Sequence, residues 1–255
     1  MQLFDLKGKT ALVTGASSGL GEQFSRCLSG AGARILLAAR RVDKLNALAA
    51  NLGNAKAIQM DVADKSSVLR AFHQLEEAGE KIDICINNAG IAKATSIFDL
   101  DEQNDFESIM QTNVMGVWYV TKATVKHMKQ QDIHGSIINI GSINGNTLPA
   151  ATGSSYNASK AAVMHMTKSL VGELSSYHIR INAISPGFFL TDMTKGANAN
   201  ENWVNEIVKK IPLGFSPDLS DLDGAVLYLA SNKASRYVTG SIITVDGGIS
   251  WGGSI

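Results

Sequence analysis

Short apolar runs of strand length alternate with longer segments of helical spacing along nearly the whole chain. This alternation restricts the possible folds more than any other feature. Strands are expected at Thr10–Thr14, Arg34–Ala39, Ala55–Met60, Ile82–Asn87, Ser136–Ile140, Arg180–Ile184 and Ser241–Val245. Helices are expected at Leu20–Ser29, Val42–Asn51, Ser66–Ala78, Asp105–Gln130 and Ser155–Tyr177. Apolar strands need cover on both faces, and helical connections of this length join parallel neighbours. The pattern therefore implies an α/β fold, a doubly wound seven-stranded parallel sheet with helices on both faces. No Pro-rich linker or low-complexity tract interrupts it, so residues 1–255 read as a single domain. A chain of that length builds a full core without disulfide or metal staples.

Residues 188–220 break the rhythm with a long insertion containing a short helix around Trp203–Lys210. Loops this long in compact domains serve as lids or binding loops. The segment lies beyond the carboxyl end of a strand, where open α/β sheets bind ligands. A substrate lid is the expectation.

The segment Thr14-Gly-Ala-Ser-Ser-Gly-Leu-Gly21 follows the first strand and opens the first helix. Gly15, Gly19 and Gly21 allow a tight turn and close approach to a diphosphate, whose charge is favoured at a helix N-terminus. Ser17, Ser18 and Leu20 complete this candidate nucleotide loop of a Rossmann-type fold. The second strand ends at Ala39, followed by Arg40 and Arg41, where an acid would hold a free ribose 2′-hydroxyl. A guanidinium there instead suits a 2′-phosphate. NADP(H) is expected, with NAD(H) the weaker fit. Asp61 and Val62, after the third strand, are placed to meet the adenine. Asn87, Asn88, Ala89 and Gly90 follow the fourth, where they could brace the loop or touch the cofactor.

Tyr156 and Lys160 lie one helical turn apart in Ser-Ser-Tyr-Asn-Ala-Ser-Lys, with Ser142 upstream. A free phenol titrates near ~10, so work as a base near neutral pH requires ~4 kcal/mol of help. A cation at ~4 Å and an effective dielectric of ~20 supplies that order of energy. Burial opposes it by penalising the phenolate, so a second cation nearby, such as an oxidised nicotinamide, would assist.

Taken together, Thr14–Gly21, Asn87–Gly90, Asn113, Ser142, Tyr156-x-x-x-Lys160, Pro186-Gly187 with Thr191, and the terminal Thr-Gly-Ser-Ile-Ile-Thr-Val-Asp-Gly-Gly resemble the short-chain dehydrogenase/reductase family, in its subgroup of about 250 residues. The resemblance implies Tyr156 as general acid and base, Ser142 as holder of the substrate oxygen, and Lys160 as tuner of Tyr156 and ligand of the nicotinamide ribose. It implies that Asn113 positions a water in a proton relay. Pro186, Gly187 and Thr191 would hold the nicotinamide carboxamide. It also implies a homotetramer or homodimer formed through the two long helices.

Within the family the chain is similar to both 3-oxoacyl-(acyl carrier protein) reductases and sugar dehydrogenases such as gluconate 5-dehydrogenase. The carrier-protein enzymes usually carry arginines where this chain has His134-Gly135-Ser136 and Gly172, and Phe215 stands where the family often has arginine. Ser142, Ile143, Asn144, Leu148, Phe188, Phe189 and Trp203 are the expected substrate pocket. The alternatives are a 3-oxoacyl-(acyl carrier protein) or acetoacetyl-CoA reductase, and a non-catalytic NADP(H)-sensing regulator.

The remaining features narrow the partners to a small-molecule substrate. Lys plus Arg and Asp plus Glu each number 23, so no net field favours nucleic acid or an anionic membrane. Residues 135–159 carry no charge but are rich in Gly, Ser, Asn and Thr, which excludes a membrane span, and the N-terminus has no apolar leader; a cytoplasmic protein is expected. Cys27 and Cys85 read as small buried hydrophobes, and no histidine spacing suggests a metal. His165, Met164, Met166, Trp118 and Tyr119 are expected in the core or at a subunit contact. Asp99, Asp101, Glu102, Asp105 and Glu107 are expected as solvated acids at a helix start.

Overall fold

The computed structural model describes residues 2–191 and 201–252. Seven parallel strands, β1 (Thr10–Thr14), β2 (Arg34–Ala39), β3 (Ala55–Gln59), β4 (Ile84–Asn87), β5 (Ser136–Ile140), β6 (Arg180–Pro186) and β7 (Ile242–Val245), form one sheet in the order β3-β2-β1-β4-β5-β6-β7. The order reverses direction between β1 and β4, which opens a crevice at the carboxyl ends of the strands. Alternate residues of each strand feed two cores. Ala11 and Val13 pack with Phe24, Leu28 and Val226 on one face, while Leu12 packs with Phe72, Leu75 and Val120 on the other. Fully burying each such aliphatic or aromatic side chain contributes ~1.5–3 kcal/mol.

On one face lie α1 (Gly19–Gly30) and α2 (Val42–Leu52), and on the other α3 (Lys65–Glu77). The expected helix Asp105–Gln130 is not uniform. Six residues of π-helix (Glu102–Glu107) lead into α4 (Ser108–Met110), a second π-turn (Gln111–Met115) and α5 (Gly116–Gln130). A π-turn inserts a residue and rotates the downstream helix about its axis, a feature concentrated at functional sites. The expected helix Ser155–Tyr177 divides at Leu170 into α6 (Ser154–Ser169) and α7 (Val171–Ser175).

In the expected lid, 188–220, residues 192–200 lie outside the described residues, and α8 (Glu201–Lys209) begins two residues before the expected start. Two further helices, α9 (Asp223–Ala230) and α10 (Asn232–Ser235), carry no periodic signal. The first buries Val226, Leu229 and Ala230 with Leu222 in the core and is apolar on most sides. A helix without a polar face has no amphipathic period to read. No helix among the described residues is long and apolar enough to cross a membrane.

Candidate active site

One cavity of about 1100 Å³ runs along the carboxyl ends of the strands, and the sequence motifs meet on its walls. At one end is the glycine turn. Gly15 has φ +67°, and a Cβ on Gly21 would sit 2.3 Å from the Gly15 carbonyl oxygen, so only hydrogen fits there. The Thr14 hydroxyl accepts the backbone N–H groups of Asn88 (3.0 Å) and Ala89 (3.1 Å), and the Asn88 amide donates to the Thr14 carbonyl at 3.0 Å. Asn88 therefore braces the turn through its side chain while also lining the cavity with Ala89 and Gly90. Asn87 is buried, donates to Thr121 and Asn139, and does not line the cavity.

Ser18, the N-cap of α1, is extended and makes no side-chain cap, so the first-turn amides of the helix are open to an anion. Its hydroxyl and that of Ser17 instead accept from the Arg41 guanidinium, each at 2.8 Å. Arg40, Arg41, Asp61 and Val62 line the same end, and Asp61 accepts the Ala63 N–H at 3.0 Å.

At the other end, β5 delivers Ser142 and α6 delivers Tyr156 and Lys160. The turn Ile143–Gly145 packs directly on α6: a Cβ at Gly145 would lie 2.4 Å from the Ala161 nitrogen. That contact sets Ser142 across from Tyr156. The Ser142 hydroxyl oxygen accepts the Asn144 N–H at 3.1 Å. Lys160 is buried and donates to the Ile140 carbonyl at 2.8 Å, and its ammonium is 5.7 Å from the centre of the Tyr156 ring. Loss of hydration pulls the Lys160 pKa down to about 8. Tyr156 keeps part of its surface on the cavity. Even so, burial pushes its phenol above the ordinary value, and the Ser142 hydrogen bond offsets this only in part. As expected, burial works against the phenolate, and here it is the dominant influence on Tyr156.

Asn113 lies in the second π-turn and is fully buried. Its side chain donates to the Ile91 carbonyl (2.9 Å) and Ser159 hydroxyl (3.0 Å) and accepts the Ile91 N–H (2.9 Å). It fixes the segment following Gly90 against α6. Pro186 ends β6, Gly187 donates to Val245 at 2.9 Å, and Thr191 packs beside Gly19, so these three join the two ends of the cavity.

Of the expected substrate pocket, Ile143, Asn144, Leu148, Phe188 and Phe189 line the cavity, although Phe189 also belongs to the core. The Trp203 side chain lies outside the described residues. Lys93, Lys210 and Ile249 are wall residues that carry no sequence signal. Asp105 corrects an expectation: it is buried, not solvated, and holds the Lys93 ammonium, whose hydrogen bond keeps its carboxyl below the ordinary range. Cys85 is fully buried and Cys27 partly so, and burial pushes both thiols up to about 12.

A family model described as enoyl-(acyl carrier protein) reductase matches residues 15–250. Gluconate 5-dehydrogenase of Gluconobacter oxydans (strain 621H) is 33% identical over 251 residues, spanning 97% of this chain and 96% of that one. The 3-oxoacyl-[acyl-carrier-protein] reductase FabG of Haemophilus influenzae is 35% identical over 246 residues, spanning 96% and 99%. The chain belongs to the short-chain dehydrogenase/reductase family. Among solved members, gluconate 5-dehydrogenase from Burkholderia cenocepacia J2315 in complex with NADP and tartrate matches with a TM-score of 0.92 at 33% identity, covering 97% of each chain. The names of these oxidoreductases span a sugar acid and acyl thioesters. Membership fixes the reaction class and leaves the substrate to the cavity.

Proposed function

We propose that the protein is an NADP(H)-dependent oxidoreductase interconverting a carbonyl and a secondary alcohol, with Tyr156 as general acid and base. The observation that carries this reading is the convergence of Ser142, Tyr156 and Lys160 on a cavity continuous with the Gly15–Gly21 turn. When bound, NADP(H) supplies or accepts the hydride. The residues present fit that group. The uncapped α1 N-terminus would take the diphosphate, Arg40 and Arg41 the 2′-phosphate, and Asp61 and Val62 the adenine. Gly90, Pro186, Gly187 and Thr191 would border the nicotinamide. NAD(H) fits less well, because β2 ends at Ala39 with no carboxylate for a free ribose hydroxyl. The NADP complex of the Burkholderia relative supports the choice.

The Ser142 oxygen accepts from Asn144, and its O–H, which bonds Tyr156 here, would turn to donate to the substrate oxygen. Tyr156 gives its phenolic proton to that oxygen in reduction and takes it back in oxidation. The Lys160 cation opposes the push of burial on the phenol. With the Asn113 amide spent on Ile91 and Ser159, any water relay would run past its backbone. Residues 188–220 would serve as the lid. Phe106, Met115 and Trp118, left exposed along the 102–130 helical segment, support association into a homodimer or homotetramer.

Similarity to FabG supports a second reading as a 3-oxoacyl reductase. The exposed His134 and Gly172, where carrier-protein enzymes place arginines, weigh against it. The test is NADPH oxidation across ketones, oxo acids, sugars and 3-oxoacyl thioesters, with Tyr156→Phe alongside. Loss of ~10²–10⁴-fold in turnover with NADPH binding retained is expected for that variant. Unchanged turnover would remove Tyr156 from the mechanism, and cofactor binding without turnover on any compound would favour a sensor.

A further inference from the structure

Asp105, Lys160 and Arg180 are buried charged side chains among the described residues. Lys160 belongs to the reacting centre. Arg180 opens β6, at the end of the sheet away from the cavity, and donates to Asn232 and the Leu229 carbonyl, each at 2.8 Å. Asp105 has no part in the reaction as drawn above, yet its partner Lys93 lines the cavity. It sits in the first π-helical stretch, where its carboxylate takes the Lys93 ammonium, the Thr95 hydroxyl and the Asp101 N–H, the last at 3.3 Å. A carboxylate removed from water needs such partners, and Lys93, its head half-exposed, supplies the counter-charge.

What Asp105 holds is the segment after Gly90, of which Ile91, Ala92, Lys93 and Ala94 line the cavity. The segment starts at the reacting centre: a Cβ on Gly90 would lie 3.7 Å from the Lys160 Nζ. There Asn113, from the second π-turn, grips both backbone groups of Ile91 at 2.9 Å. The segment ends at the entry to α6. The Thr95 carbonyl accepts the Gly153 N–H at 3.4 Å, and a Cβ on Gly153 would lie 3.1 Å from the Lys93 carbonyl oxygen. Gly153 is the N-cap of α6, three residues before Tyr156, and has φ +105°. One buried side chain from each π-helical stretch therefore pins the segment, Asn113 near Lys160 and Asp105 near the start of α6.

Resting on the oxidoreductase reading above, we propose that Asp105 is a positioning residue for the reacting centre. Acting through Lys93 and Thr95, it pins residues 91–95 across the start of α6 and so sets the wall against which the substrate is placed beside Tyr156. Charge alone would hold weakly a pair that meets water at the Lys93 end. The hold comes from the buried end, where loss of the cation leaves Asp105 uncompensated. This role is independent of the charge of the substrate.

The test takes a carbonyl compound that the wild type reduces and follows kcat, KM and NADPH affinity in Asp105→Asn, Lys93→Met and the double variant, with Lys93→Arg as the conservative change. Each of the first two should raise KM for the carbonyl compound about tenfold and change kcat by less than about threefold, with NADPH affinity unmoved. The double variant should be no worse than either single one, because Asp105 acts through Lys93. Lys93→Arg keeps the cation and should regain most of the loss. Hydrogen exchange at the Ile91 and Gly153 amides should quicken about tenfold in Asp105→Asn and Lys93→Met as the segment loosens. A merely structural role would lower the melting temperature and leave both KM and this local exchange where they were. An unchanged KM, or losses that add in the double variant, would overturn the proposal and leave the oxidoreductase reading intact. Should Asp105→Asn fail to fold, Lys93→Met, altered at a half-exposed side chain, decides by its KM and exchange. A wild type that turns over no compound would count against the oxidoreductase reading instead. Exchange then decides the pin by itself: faster exchange in the variants upholds it, and unchanged exchange refutes it.

Discussion

Replacing Lys160 with methionine isolates what its charge does for Tyr156. The side chains are of similar length, so packing is largely retained while the ammonium disappears. With the ammonium 5.7 Å from the phenol ring centre and an effective dielectric of ~20, the charge is worth ~3 kcal/mol to the phenolate, about a hundredfold in its population. In alcohol oxidation at neutral pH, where the phenolate is the base, kcat/KM should fall by about that factor. The inflection of the pH–rate profile should move upward, so much of the loss is recovered in alkali. The Ile140 carbonyl also loses its donor, which costs ~1–3 kcal/mol of stability if nothing replaces it. That loss is offset by no longer burying a cation. The assay is kcat/KM against pH for a turned-over alcohol, together with NADP⁺ affinity and a thermal melt. A rate lowered uniformly at every pH, with the inflection unmoved, would refute the electrostatic role. Lysine would then matter only for holding the cofactor.

Other outcomes rest on single contacts. Arg41→Ala removes the guanidinium that bridges Ser17 and Ser18, and should lower the kcat/KM ratio for NADPH over NADH by ~10–100-fold, measured with both cofactors. Gly21→Ala places a methyl 2.3 Å from the Gly15 carbonyl oxygen, so the turn must shift; NADPH affinity should collapse, and stability should fall by ~1–3 kcal/mol. His127 is fully buried with its Nδ1 unpartnered, and desolvation holds its pKa below the ordinary value. The unfolded chain therefore takes up the proton first. Stability should be full above the ordinary imidazole range and decline as pH falls through and below it. His127→Gln should flatten that decline in melts recorded between pH ~7 and ~5.

The strands were legible because their signal is local. Thr10–Thr14, Arg34–Ala39 and Ser136–Ile140 match residue for residue, each being a short apolar run bounded by turn chemistry. The π-turns around Asn113 were not, since inserting one residue leaves the apolar pattern of a long helix nearly unchanged. The helix Asp223–Ala230 was hidden for the opposite reason: a helix that is apolar on most sides has no polar stripe. Ser142, Tyr156 and Lys160 could be singled out by type and spacing. Lys93 and Lys210 look like any other surface lysines in the chain.

Alternation of elements, the glycine turn and the order of motifs depend on neighbours within a few residues, so the sequence alone determined the parallel sheet and the position of its ligand crevice. Charge environments depend on what packs from elsewhere. Folding brought Arg41 onto Ser17 and Ser18 and set Asp105 beside Lys93. It also buried Tyr156 far enough to push its phenol above the ordinary value. Desolvation and Coulomb energy are set by depth and distance in three dimensions, and spacing along the chain encodes neither.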